Sequence, residues 1–320
     1  MYPWLMPYWQ GWLDSVAQNR LAHASLLSGP QGLGKLTLAR QMAHTLLCQH
    51  PSSSGACGLC HACTLLAHGH HPDLLQLGDS AEKSLGVDLI RELIGKLNGS
   101  PQLGGAKVVI LARAERMTEA AANALLKTLE EPAGRSHLIL LSDQPNRLLP
   151  TILSRCQKMP IRQPEIGPTL AWLHAQEGGA SAGLPHLRLN QYAPLQTLSY
   201  LREGLDARRR ALCGCFDAFL RSPEQLAPLV TLMLNEAPHA HSWLHTLMLD
   251  ALKIQSGCSL DECVMSDVPD TISYLASFSS GRLLDALARW QSLAAEPEGM
   301  PSAMPSLHLT AWFNQLILEV

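Results

Sequence analysis

The chain has 320 residues, 47% of them hydrophobic and 16% charged, with a formal net charge of −3. That length holds two or three domains with a substantial core. The mild acidity argues against a chain that grips DNA through a global basic footprint, and no apolar run reaches the ~18 residues of a membrane helix.

The opening, Met1-Tyr2-Pro3-Trp4, puts no basic stretch ahead of an apolar one, so no secretory signal is read there and a cytoplasmic location is expected. Thiols stay reduced in that compartment, so the nine cysteines need a reading other than disulfides. Residues 1–23 are rich in aromatics. Tyr8, Trp9 and Trp12 share a helical spacing with Val16 and are expected to pack on the first domain, with a partner surface as the alternative.

The apolar run 24–27 reads as a buried strand, and 35–47 carries helical spacing. Between them lies Gly29-Pro30-Gln31-Gly32-Leu33-Gly34-Lys35-Leu36. Strand, glycine-rich turn and helix form the setting of a phosphate-binding loop. Gly29, Gly32 and Gly34 would let backbone N–H groups turn toward phosphate, helped by the helix dipole, with Lys35 as a point charge. The motif normally ends in Ser or Thr, whose hydroxyl holds Mg²⁺. Here that position is Leu36, and Thr37 lies about 100° further round the helix.

Cys48, Cys57, Cys60 and Cys63 follow, spaced C-x8-C-x2-C-x2-C. Four thiolates within so short a window predict a closed, structural zinc site with no catalytic role. Disulfides and free thiols are the rivals. His61, His68, His70 and His71 stand nearby as alternative ligands, but the cysteines already complete a tetrahedron.

A short strand is expected at 73–77. Val87, Ile90, Leu93, Ile94 and Leu97 mark an amphipathic helix, stopped by Asn98-Gly99-Ser100-Pro101. Gly104-Gly105 reads as a turn. The apolar run 107–111 is the signature of a central parallel strand. Thr118 reads as an N-cap, Ala122, Leu125, Leu126 and Leu129 as a buried helical stripe, and Pro132 as its end. Another buried strand is expected at 137–141. Strands alternating with helices to about residue 160 imply a parallel α/β sheet.

Pro160, Pro164, Gly167 and Pro168 then form a linker. Beyond it only helical periods appear: 168–177, 183–200, 205–221, 223–235, 239–256, 281–296 and 302–319. Arg208-Arg209-Arg210 reads as a solvated helix face, with a nucleic-acid contact as the lesser reading. Cys213, Cys215, Cys258 and Cys263 form no tight pairs and read as ordinary thiols.

A hydrolysing site also needs an acidic pair after the central strand, to hold Mg²⁺ and activate water. The two positions are Ala112 and Arg113, and Glu115 is out of register. With Leu36 and Ala112 both lacking metal-handling chemistry, no hydrolysis of ATP by this chain is expected, and an empty loop is favoured over weak nucleotide binding.

The strings NALLKTLEEP at 123–132 and LPTILSRC at 149–156 resemble the clamp-loader branch of the AAA+ ATPases. A cysteine zinc module after the first helix of the core does so too. The resemblance is strong over residues 1–160 and is one of size and character beyond. It implies an α/β AAA+ core at 1–160 with a zinc insert at 48–63, a small helical lid at 161–203, and a helical collar at 204–320. It implies that Arg155, in Ser154-Arg155-Cys156, points at ATP held by a neighbouring subunit, as an arginine finger. Ser142 falls where related ATPases place a phosphate-sensing residue. Arg188 lacks the small-residue turn of the lid's usual sensor arginine and is assigned no role. The implied partners are clamp-loader ATPase subunits and a delta-type subunit, with a sliding clamp and primed DNA reached through the complex and no membrane. Any polymerase activity belongs to that assembly. An active ATPase subunit and a zinc-dependent nucleic-acid-binding protein are the alternatives.

Overall fold

The computed structural model describes residues 1–79, 84–103, 105–294 and 304–318. The chain divides into two compact units, Met1–Glu165 and Ile166–Val320.

The first unit is built on five parallel strands: β1 (Ala24–Ser28), β2 (Leu74–Leu77), β3 (Lys107–Leu111), β4 (Ser136–Ser142) and β5 (Gln157–Pro160), in the order β2-β3-β4-β1-β5. Val108, Val109 and Ile110 of β3 are fully buried, as a strand covered on both faces must be. Around the sheet lie α1 (Met6–Ala17), α2 (Lys35–Leu47), α3 (His61–Ala67), α4 (Val87–Asn98), α5 (Glu119–Glu130) and the single turn α6 (Pro150–Leu153). Ile90, Leu93 and Leu97 of α4 pack with Ala122, Leu125 and Leu129 of α5 on Leu138 and Leu140 of β4. The expected cap of α5 is present: the Ala121 N–H donates to Thr118 Oγ1 at 3.2 Å.

Register positions the site. Ser28 at the end of β1 pairs with Ser142 at the end of β4, and with Pro160 of β5 on the other side. The loops that follow β1 and β4 therefore leave the sheet side by side at its carboxyl edge, where open α/β sheets hold their ligands.

The second unit is helical: α7 (Ile166–His174), α8 (Leu184–Leu189), α9 (Pro194–Arg202), α10 (Leu205–Arg221), α11 (Leu226–Asn235), α12 (Ala237–Gln255), α13 (Pro269–Ala276), α14 (Ser280–Ala294) and α15 (Met304–Leu318). Leu173, Ala182, Leu187 and Leu198 of the first three helices and the loops between them form one small cluster. The later helices share a larger core around Phe216, Phe219, Trp290, Trp312 and Phe313. Among the described residues no helix is long and apolar enough to cross a membrane.

Several expectations need correction. The single helix expected at 183–200 is two, α8 and α9. Gln191 and Tyr192 between them have φ of 54° and 58°, which no α-helix accommodates, and Pro194 opens α9 where its missing N–H costs nothing. The strand β5, the helix α3 and the helix α13 were not expected. The arginine run is a solvated face only in part: Arg208 and Arg210 are exposed, but Arg209 is not. Arg209 is 0% exposed and pairs with Asp206 at 2.8 Å and with Asp267, while its Nε donates to Tyr200 Oη. Arg208 pairs with Glu236, and Arg210 with Asp206 at 2.8 Å. Gly104 of the expected turn, 295–296 and 302–303 at the ends of two expected helices, and residue 319 lie outside the described residues.

Candidate functional site

The loop after β1 has the backbone its glycines predict. Gly29, Gly32 and Gly34 have φ of 147°, 82° and 85°, values that L side chains rarely adopt. At Gly29 a Cβ would sit 2.4 Å from the Ile161 carbonyl, and at Gly34 it would strike the Tyr2 ring at 2.8 Å. The loop is thus pressed between the end of β5 and the N-terminal segment. Trp4 Nε1 donates to the Leu33 carbonyl at 2.9 Å, and the Tyr2 and Trp4 rings stack at 5.1 Å. The expectation that the aromatic opening packs on the first domain holds, with Trp9 and Trp12 buried as well.

Lys35 opens α2 and is 7% exposed. An ammonium has three N–H donors. Here three oxygens of the same chain meet Nζ: the Gly29 carbonyl at 2.6 Å, the Pro30 carbonyl at 2.7 Å and Asp143 Oδ1 at 2.6 Å. Asp143 directly follows Ser142 of β4, so the strand register delivers it. Its own N–H donates to Glu115 Oε1 at 3.3 Å. The cation that would meet a phosphate is already neutralised and fully hydrogen-bonded. Asp143 went unseen in the sequence, where it lies 108 positions from Lys35. Its place just past a strand end was the available signal.

Ser142 is buried, and its hydroxyl has no hydrogen-bond partner among the described residues. Ala112 is buried at the end of β3 with no polar side chain to offer.

The four cysteines come together. Cys48 follows α2, Cys57 and Cys60 line a turn, and Cys63 sits in the first turn of α3. Their sulfurs all lie within 4.8 Å of one another, with Cys48–Cys60 and Cys57–Cys63 both at 3.9 Å. Thiolates on one tetrahedral zinc stand about 3.8 Å apart, from a Zn–S bond of about 2.3 Å, so this donor set fits such an ion. Backbone N–H groups point at two of the sulfurs: Cys57 N at Cys48 Sγ and Cys60 N at Cys57 Sγ. The backbone N–H of Cys63 leads the causes that bring Cys60 down to about 6, whereas burial pushes Cys63 up to about 12. Among the described residues no histidine joins the group. His71 Nδ1 instead accepts from the Asp73 N–H.

Arg155 bonds away from the loop, to α5 and α6. Its Nε donates to Glu130 Oε1 at 2.8 Å and its Nη1 to the Thr151 carbonyl at 3.0 Å, with 33% of the side chain exposed. The sequence reading did not anticipate Glu130.

Family models for "DNA polymerase III, delta subunit" match residues 7–165, and for its C-terminal part residues 203–317. The DNA polymerase III subunit delta' of Pseudomonas aeruginosa is 38% identical, over 91% of this chain and 89% of that one. That of Escherichia coli K12 is 36% identical, over 89% and 86%. A DNA polymerase III gamma subunit-related protein of Thermotoga maritima, 18% identical, superposes with a TM-score of 0.50 over 95% of this chain and 99% of that one, a likeness of fold.

Proposed function

The chain belongs to the delta' family of DNA polymerase III subunits, and from that premise we propose that it is a clamp-loader subunit that does not hydrolyse ATP. It acts as a stator in a ring of related subunits and supplies Arg155 to ATP held by a neighbour. A guanidinium there offsets charge developing on the transferred phosphoryl group. Its partners are ATPase subunits and a delta-type subunit, and it meets the sliding clamp and primed DNA through the complex. The polymerase chemistry is the assembly's.

One observation carries the passive half of this reading: Lys35 spends all three ammonium donors on its own chain. Leu36 and Ala112 support it, since neither can hold Mg²⁺. Zinc in the cluster of Cys48, Cys57, Cys60 and Cys63 is structural, because four thiolates leave no open position for water. The core, lid and collar divide near residues 160 and 203. The separate small cluster of α7 to α9 supports the second division.

The test is reconstitution with the cognate ATPase subunits. The purified chain alone should turn over no ATP. In the complex, Arg155→Ala should leave assembly intact by size-exclusion chromatography. It should lower turnover at the site it serves by about a thousandfold, and total turnover by that site's share. Unchanged turnover would remove the trans role. Hydrolysis by the chain alone, lost on Lys35→Ala, would establish the active-ATPase alternative.

A further inference from the structure

Arg155 is anchored on both sides of its guanidinium. A guanidinium has five N–H donors in a fixed fork. Glu130 Oε1 accepts from Nε at 2.8 Å and also from Nη2, while Nη1 reaches the Thr151 carbonyl at 3.0 Å and, less closely, Ser154 Oγ at 3.4 Å. Four donors are engaged and one Nη2–H is left over. The plane of the guanidinium is therefore set by the last residue of α5 on one side and by the turn α6 on the other. Both elements are fixed. Leu125 and Leu129 of α5 are buried in the core, and so is Ile152 of α6.

Glu130 is half-exposed and Arg155 a third exposed. An ion pair so placed is screened by water and adds little to stability. What it does fix is direction. We propose that Glu130 is a positioning residue for Arg155, holding the Nε/Nη2 edge of the guanidinium so that the one remaining Nη2–H is oriented to meet an anionic phosphoryl group on an adjoining subunit. This rests on the trans role proposed above. The carboxylate acts on the orientation of the guanidinium. It removes rotational freedom that would otherwise be lost when the neighbour's nucleotide is engaged.

The experiment compares reconstituted complexes carrying wild-type chain, Glu130→Ala, Glu130→Gln, Arg155→Ala and the Glu130→Ala/Arg155→Ala pair. Steady-state ATP hydrolysis is measured across ATP concentrations, with assembly checked by size exclusion. Glu130→Ala should lower the Arg155-dependent kcat about tenfold with KM for ATP unchanged. Glu130→Gln keeps an oxygen acceptor at the same reach and should recover to within about twofold of wild type. In the Arg155→Ala background, Glu130→Ala should cost nothing more. Wild-type turnover in Glu130→Ala overturns the proposal. So does a Glu130→Ala loss that persists without Arg155, or a Glu130→Gln defect as deep as that of Ala. An Arg155→Ala complex with normal turnover is a different failure: it sinks the trans role, and the positioning role with it.

Discussion

Lys35 holds the lysine position of the glycine-rich loop, but its partners are oxygens of its own chain. In a working phosphate loop, removing the lysine costs catalysis and little stability. Here it is buried against two carbonyls and a carboxylate, so its removal leaves three acceptors short of a donor, one of them charged. Leaving buried acceptors unpaired costs about 1–3 kcal/mol, more where a charge is among them. Lys35→Met should therefore lower the stability of the isolated chain by about 2–3 kcal/mol, read as a shift in urea midpoint at constant m. It should leave the ATPase of the reconstituted complex unchanged. The opposite pattern, lost turnover with an unmoved midpoint, would show that the ammonium serves a nucleotide. The lysine itself was legible in the sequence; its counter-ion was not. Lys35 and Asp143 meet only because β1 and β4 pair in one particular register. Arg209 shows the same limit. Three arginines in a row look like a wet surface until Asp267, far along the chain, is found against the middle one.

The elements that could be read in advance declare themselves by side-chain periodicity. The central strand β3 is an unbroken apolar run, and α5 carries its cap and stripe in plain view. Those that could not be read lack that signal. Gln157-Lys158-Met159-Pro160 is a polar edge strand, placed by pairing with β1 rather than by burial. The seven-residue α3 begins inside the cysteine segment, with Cys63 in its first turn. That segment is a small element with few apolar side chains of its own, and it lies so close to Trp9 that a Cβ at Gly55 would sit 2.8 Å from the ring. A metal is what should hold it. Elemental analysis should find one zinc per chain, and Cys60→Ser should lose it. Chelation should open 48–63 to proteases while the sheet persists, because the cluster that joins Leu26, Val109, Leu138 and Leu140 to α4 and α5 includes none of these cysteines. A metal-free chain as resistant as the loaded one would take zinc out of the account.

Each of the two units carries at least one histidine that the fold keeps neutral, and this gives the molecule as a whole a definite response to acid. Burial lowers the pKa of His137 on β4. In the second unit burial does the same to His241, whose ring stacks on Trp290 at 4.2 Å. Unfolded, both would titrate near their ordinary 6.5. Below that pH the unfolded chain takes up protons that the folded chain refuses, so protonation favours unfolding. Their contribution is fully present above pH 6.5 and is lost as pH falls through the depressed folded values. Each group adds a slope of at most about 1.4 kcal/mol per pH unit. Asp206 responds in the same direction but in another window. Burial would raise its pKa, yet the Arg209 hydrogen bond and the neighbouring His186 outweigh that and hold it low, so its contribution fades only below its ordinary 3.8. Urea unfolding between pH 7.5 and 5.5, followed by hydrogen exchange resolved to the two units, should show both weakening as pH falls. His137→Gln should reduce the slope of the first unit alone, where burial also lowers His44 and His71, and His241→Gln should reduce that of the second alone. A stability that stays level from pH 7.5 to 5.5 would mean that neither ring is held neutral. A slope lost from both units by either single change would mean that Met1–Glu165 and Ile166–Val320 unfold as one body.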